Sequence, residues 1–158
     1  MTSWLMTSSL TPSFAALGRA LSRGPRTWCD LLIAVLELAR ARRRLGRHSA
    51  RALIELARRQ CRPDRPAPSR AATLPDRVAY AIPGVAAHVP WRADCFIQAL
   101  AAQSWLARSG VPSEISIGVR QDRAPGFEAH AWLVHDGRNI TGGDVTGFTP
   151  IVEAATQL

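Results

Sequence analysis

Among the side chains able to do covalent chemistry in this chain of 158 residues, one set stands in an order that nucleophilic catalysis uses: Cys95, then His130, then Asp144. A cysteine nucleophile needs a base within hydrogen-bond reach, and that base needs a group to orient it. Cys95 lies in the stretch from Trp91 to Gly110, where Phe96, Leu100, Trp105 and Leu106 supply an apolar stripe at helical spacing. Asp94 can cap the start, and Ser109-Gly110 followed by Pro112 closes the end. Cys95 is therefore expected in the first helical turn, where free amide N–H groups and the positive end of the dipole stabilise a thiolate. Asp94 opposes that effect unless its carboxylate is engaged in the cap. The other reading of such a cysteine is a small hydrophobe packed beneath the helix.

Strand geometry selects the base and the acid. Glu114-Ile-Ser-Ile-Gly-Val119 alternates as a half-buried strand, Arg120 to Gly126 is a loop, and Phe127 to Val134 is a second strand. His135-Asp-Gly-Arg138 carries an Asp-Gly turn signal, and Asn139 to Thr141 is a third strand running into Gly142-Gly143-Asp144. The expectation is a helix followed by an antiparallel meander. His130 is central in the second strand, whereas His135 lies about 16 Å further along at roughly 3.3 Å per residue, on the opposite face. His88 precedes the cysteine in a Pro-flanked loop. Asp136 shares parity with His130 but is about 20 Å away along the strand. Asp144 faces His130 directly if the hairpin centres on Gly137. A two-residue Asp136-Gly137 turn instead puts Asp144 on the wrong face unless Gly142-Gly143 hosts a bulge. Asp144 is the preferred orienting acid, with Asp122 in the preceding loop as the reserve.

The elements that must position these residues occupy a single domain, since 158 residues with 47% hydrophobic content leave little room for two cores. From Trp28 to Leu45 apolar residues recur with a helical period, with Asp30 near the start and Arg40 to Arg44 near the end. Ser49 to Gln60 reads as a second helix, with Ser49 as its cap and Leu53, Ile54 and Leu56 inward. Arg62 to Pro75, with four prolines, reads as an extended linker, and a short third helix covers Asp76 to Ile82 before Pro83-Gly84 breaks it. Every one of the 20 basic residues is arginine, and the net charge is +8. Residues 1–70 hold 14 Arg against four acids, whereas residues 71–158 hold six against eight. The basic character thus belongs to the helical half. A basic helix can neutralise phosphates, yet no aromatic residue interleaves with Arg40 to Arg59 and no zinc spacing appears. The solvated face, or a polyanionic protein partner, is preferred over nucleic acid.

The longest apolar run, Leu31 to Leu36, is far short of the roughly 20 residues that cross a bilayer, so no membrane span is expected. Cys29, Cys61 and Cys95 are too few and too scattered for a disulfide framework or a CxxC metal site. Thiols in a reducing compartment, hence a cytoplasmic location, are expected, with no metal and no cofactor. Cys29 and Cys61 read as structural. Residues 1–27 are Ser/Thr-rich and carry no acid, which suits a poorly ordered start better than a transit peptide, and no secretory signal is visible.

Taken together, Cys95-Phe-Ile-Gln-Ala-Leu-Ala, Leu106-Ala-Arg-Ser-Gly110-Val-Pro, Ile117-Gly-Val119 and Ala129-His-Ala-Trp132-Leu-Val with Asp136-Gly137 resemble the transglutaminase-like B proteins of lasso-peptide biosynthesis. The likeness covers most of residues 28–152 and is strongest from 90 to 144. It implies an α+β fold with a papain/transglutaminase-like core, a helix with an N-terminal cysteine packed on a short antiparallel sheet. The domain would span residues 28–158, with a helical collar over 28–90. It also implies a leader peptidase, a cysteine protease that cuts the leader from a ribosomally made precursor peptide. Cys95 would be the nucleophile, His130 the general base and then acid, and Asp144 the orienting acid. The chain departs from the family's pattern where Leu133-Val134-His135 replaces an acid soon after His-Ala-Trp, and where Asp144 follows a Gly-Gly pair. Residues 1–90 do not resemble the strand-rich precursor-recognition domain that some members carry. A separate leader-recognition protein is therefore expected as a partner, beside a macrolactam-forming cyclase. The rival readings are a transglutaminase-type acyl transferase and a non-catalytic basic binding module.

Overall fold

The computed structural model describes residues 24–60, 72–121 and 127–152. Helix α1 (Pro25–Leu45) begins with Pro25 in its first turn, where a missing N–H removes no helical bond, and ends on Arg42, Arg43 and Arg44 at its negative pole. Asp30, Ala34, Glu37, Leu38 and Ala41 form its buried stripe. Helix α2 (Ala50–Gln60) follows Ser49, whose hydroxyl accepts from the Ala52 amide at 3.3 Å. It buries Leu53 and Ala57, while Leu56, expected inward, is exposed.

Helix α3 (Leu74–Ala86) departs from expectation at both ends. Pro75 lies in its first turn and not in a linker, and Pro83 lies inside the helix, which runs on through Gly84 to Ala86. Burial of Val78, Ala81, Ile82 and Val85 along one face outweighs the helical hydrogen bond that Pro83 cannot make to Ala79. The rest of the expected linker, residues 62–71, falls outside the described residues, as do Cys61 and Asp122.

Helix α4 (Cys95–Arg108) is the centre of the molecule. Its alanines 99, 101 and 102 are fully buried beside Leu100, Trp105 and Leu106, so the helix is enclosed on nearly every side, by α1, α3 and the sheet. Two arginine–carboxylate clusters fix its neighbours. Asp30 on α1, 5% exposed, takes both Nε (2.8 Å) and Nη2 of Arg77 on α3. The hydrogen bonds and charge of Asp30 raise the Arg77 pKa above its ordinary value. Glu37, 1% exposed, accepts Arg40 and Arg108 at 2.5 Å on one carboxylate oxygen, which ties α1 to the last turn of α4.

The sheet contains β1 (Glu114–Gln121), β2 (Phe127–His135), β3 (Arg138–Thr141) and β4 (Thr149–Val152) in the order β3-β2-β1-β4. All pairs are antiparallel. Ile115, Ala131 and Leu133 on one face join the core against α4. The expected meander is corrected by β4, which returns to pair with β1 instead of extending from β3. Its Pro150 is tolerated because β4 is an edge strand with a bulge opposite Ile117 and Gly118. The fold is α+β, with helices packed on one face of a short antiparallel sheet.

Candidate active site

Cys95 is the first residue of α4, and Asp94 is its N-cap. The Asp94 carboxylate accepts from the Ile97 amide at 3.1 Å and its carbonyl accepts from the Gln98 amide at 3.0 Å. The Asp94 charge is thus engaged in the cap, as a thiolate beside it requires. The amides of Cys95 and Phe96 have no intrahelical acceptor and remain the positive pole of the helix. Cys95 is half-buried, between a packed core residue and a free surface thiol.

His130 is paired with Gly118 across β1 and β2. Its ring lies 5.0 Å from that of Phe148 and 6.1 Å from that of Trp132, centroid to centroid. The Trp132 indole in turn covers Gly118, where an added Cβ would lie 2.8 Å from Cη2. The imidazole Nε2 is 2.7 Å from the carbonyl oxygen of Gly142. A carbonyl only accepts, so Nε2 carries the hydrogen and donates it, and the lone pair of the neutral ring is left on Nδ1.

Cys95 and His130 line one cavity of about 440 Å³, together with Ala79 and Pro83 of α3, Gln98 of α4 and the stretch Asn139 to Gly143. Residues that sequence order alone connects therefore share a cleft. Gln98, one turn after Cys95 and on its face of the helix, is held by a 2.8 Å hydrogen bond from its amide nitrogen to the Ala93 carbonyl. It was not singled out from the sequence, although its i, i+3 spacing from Cys95 was available as a signal. Thr141 is a lining residue with a buried hydroxyl that has no partner among the described residues. Phe148 had no sequence signal, because it reaches His130 only through the path of the chain after β3. Among the described residues no three side chains cluster as metal ligands.

Asp144 is not where it was expected. The hairpin closes with the two-residue Asp136-Gly137 turn, both residues at positive φ, so His135 pairs with Arg138 and Val134 with Asn139. A bulge does restore the parity, but at Ile140 and not at Gly142-Gly143, because Leu133 pairs with Thr141. The ladder then stops. Gly142 (φ 98°) and Gly143 (φ 64°) turn the chain off the sheet before Asp144 can come opposite His130. A Cβ on Gly142 would lie 2.4 Å from the Trp132 Cβ and 3.3 Å from His130 Nε2, so only glycine brings this carbonyl to the imidazole. The exposed Asp144 carboxylate accepts from the Thr146 amide at 2.9 Å. The Thr146 hydroxyl, then its amide, then the charge of Arg120 hold the Asp144 carboxyl below its ordinary range. Asp144 shapes the segment that delivers the Gly142 carbonyl.

The remaining histidines lie away from the cleft. His88 bonds the Gly84 carbonyl at 2.8 Å and His135 the Pro112 carbonyl at 2.6 Å. Cys29, read as structural, is exposed on α1. Trp132 is buried behind His130 and does not line the cavity. No helix of the described residues is long and apolar enough to cross a membrane. A family model described as the transglutaminase-like superfamily matches residues 32–153. No curated protein and no solved structure matches the chain.

Proposed function

The chain belongs to the transglutaminase-like superfamily, and from that premise we propose that it is a cysteine peptidase that removes the leader from a ribosomally synthesised lasso-peptide precursor. The observation that carries the reading is the shared cavity of a helix-start cysteine and a strand histidine whose Nε2 is already committed to a carbonyl. In this reading Nδ1 of His130 takes the Cys95 proton. The thiolate attacks the scissile carbonyl, and the negative charge that develops on its oxygen is met by the Cys95 amide at the start of α4. The protonated His130 then gives its proton to the leaving amine as the carbon–nitrogen bond breaks. A thioester to Cys95 remains, and water activated by the same imidazole hydrolyses it to a free carboxylate.

The orienting role expected of Asp144 passes to the Gly142 carbonyl, which fixes tautomer and ring direction without a charge. A separate leader-recognition protein supplies the precursor in this reading, and a cyclase consumes the freed core. Transfer of the same thioester to an added amine is the acyl-transferase alternative. Mass spectrometry of a candidate precursor from the same gene neighbourhood, with its recognition protein, tests the proposal. Wild type is expected to release leader and core with new carboxylate and amine termini, and Cys95→Ala to release neither. Equal cleavage by both proteins would refute it, and an amide on an added amine would move the assignment to acyl transfer.

A further inference from the structure

Strand β2 is paired along its whole length with β1, but with β3 only from Leu133 to His135. From Phe127 to Trp132 its other edge has no strand beside it among the described residues. Alternation of the ladder identifies which groups are free. His135 and Arg138 close a two-residue turn and exchange hydrogen bonds, so the main chain of every second residue before His135 points away from β1. Beyond Leu133, these are Ala131, which is buried where Gly142 passes beside Trp132, and then Ala129 and Phe127, which are exposed. The pairing of β1 with β4 through Ile117 and Val119 fits the same parity, since their partners on β2 are Ala131 and Ala129.

The other margins of the sheet are guarded. β4 carries Pro150 and a bulge, and β3 has α3 packed against it. The free part of β2 has neither device. Its one charged side chain, Glu128, is held by Arg120 at 2.6 Å, Ala129 is small, and Phe127 is 78% exposed. The row runs into His130, and the cavity shared by His130 and Cys95 is also lined by the end of β3, along whose line an added strand would lie.

We infer that the extended main chain of the peptide substrate docks here as an added β-strand, with its amides on Phe127 and Ala129. This deepens the peptidase reading and rests on it: recognition next to the scissile bond is through backbone and so tolerant of sequence. A second copy of this chain pairing edge to edge is disfavoured, because it would cover the cleft in both copies.

The test uses N-acetyl-trialanyl chloromethyl ketone, whose chloride is displaced by the Cys95 thiolate as the sulfur–carbon bond forms. Iodoacetamide, which has no peptide to dock, is the reference. The expected result is that N-methylation at one of two adjacent alanines of the reagent slows Cys95 labelling about five-fold while the other has no effect, as loss of a single hydrogen bond predicts. Ala129→Pro, which removes an outward N–H and none from the β1 ladder, should lower the ratio of peptide-reagent to iodoacetamide rates by a similar factor. Equal effects at both alanines, or none at either position and none from Ala129→Pro, would overturn the docking. So would dimerisation in sedimentation that Ala129→Pro abolishes without changing the ratio. If iodoacetamide labels Cys95 equally fast in His130→Ala, the peptidase reading fails and the docking with it. If that rate falls in His130→Ala, a negative docking result counts against the docking alone.

Discussion

In the helical half, buried carboxylates meet arginines: Asp30 receives Arg77, and Glu37 receives Arg40 and Arg108. In the sheet half the imidazole of His130 meets a main-chain carbonyl, and the nearest acid in sequence after β3, Asp144, is spent on Thr146. A full opposite charge holds a group hard, which suits helices that must not move. A carbonyl sets the direction and tautomer of a ring without placing a charge beside it. Charge fixes the scaffold around α4, and backbone geometry fixes the group that would do chemistry.

The sharpest way to break this division is at Cys95. Cys95→Ala is expected to abolish precursor cleavage while leaving the thermal unfolding midpoint within about 2 °C, since removing one sulfur from a half-buried site changes little. His130→Ala comes next, with an expected loss of roughly 10²- to 10⁴-fold in cleavage rate, measured in single-turnover assays. Arg77→Ala should act on stability and not on chemistry. It strands the buried Asp30 carboxylate, for a loss of about 3–5 kcal/mol in urea unfolding, whereas replacing Asp30 and Arg77 together by leucine should recover most of it. A double variant no more stable than Arg77→Ala would mean that the loss does not come from the stranded Asp30 carboxylate.

Gly142→Ala is expected to lose roughly 1–3 kcal/mol from backbone strain, together with the Nε2–H tautomer of His130 in ¹⁵N spectra. The smallest effect belongs to Asp144→Asn. It should leave the pH dependence of Cys95 alkylation unchanged within about a factor of two, because an exposed carboxylate bonded to Thr146 contributes little at the imidazole. A loss matching that of His130→Ala would restore Asp144 as the orienting acid and erase the contrast between the halves.

Side-chain patterns made α4 legible from its Asp94 cap to Gly110, because capping, periodicity and termination agree there. They also gave the β1–β2–β3 hairpins and the pairing of Cys95 with His130 in one cleft. Pro83-Gly84 signals a helix end locally, and only the buried face of Val78, Ala81, Ile82 and Val85, which is a tertiary property, carries α3 past it. β4 was missed because Thr149-Pro-Ile-Val is short, contains proline and pairs with a strand about 30 residues earlier in the chain. The partner of His130 could not be found among side chains at all. A carbonyl oxygen belongs to every residue, and only φ and steric room distinguish Gly142.

The bulge at Ile140 ties chain length to chemistry. Between His135 and Gly142 the path consists of a turn, a three-residue ladder and one extra residue, and that extra residue decides which side of the hairpin the next glycine presents to Trp132 and His130. Deleting or inserting a single residue there would exchange the two faces of everything downstream. The spacing of this hairpin is therefore constrained as tightly as the identity of a reacting residue. Homologues that keep this chemistry are expected to keep the number of residues from His130 to Gly142.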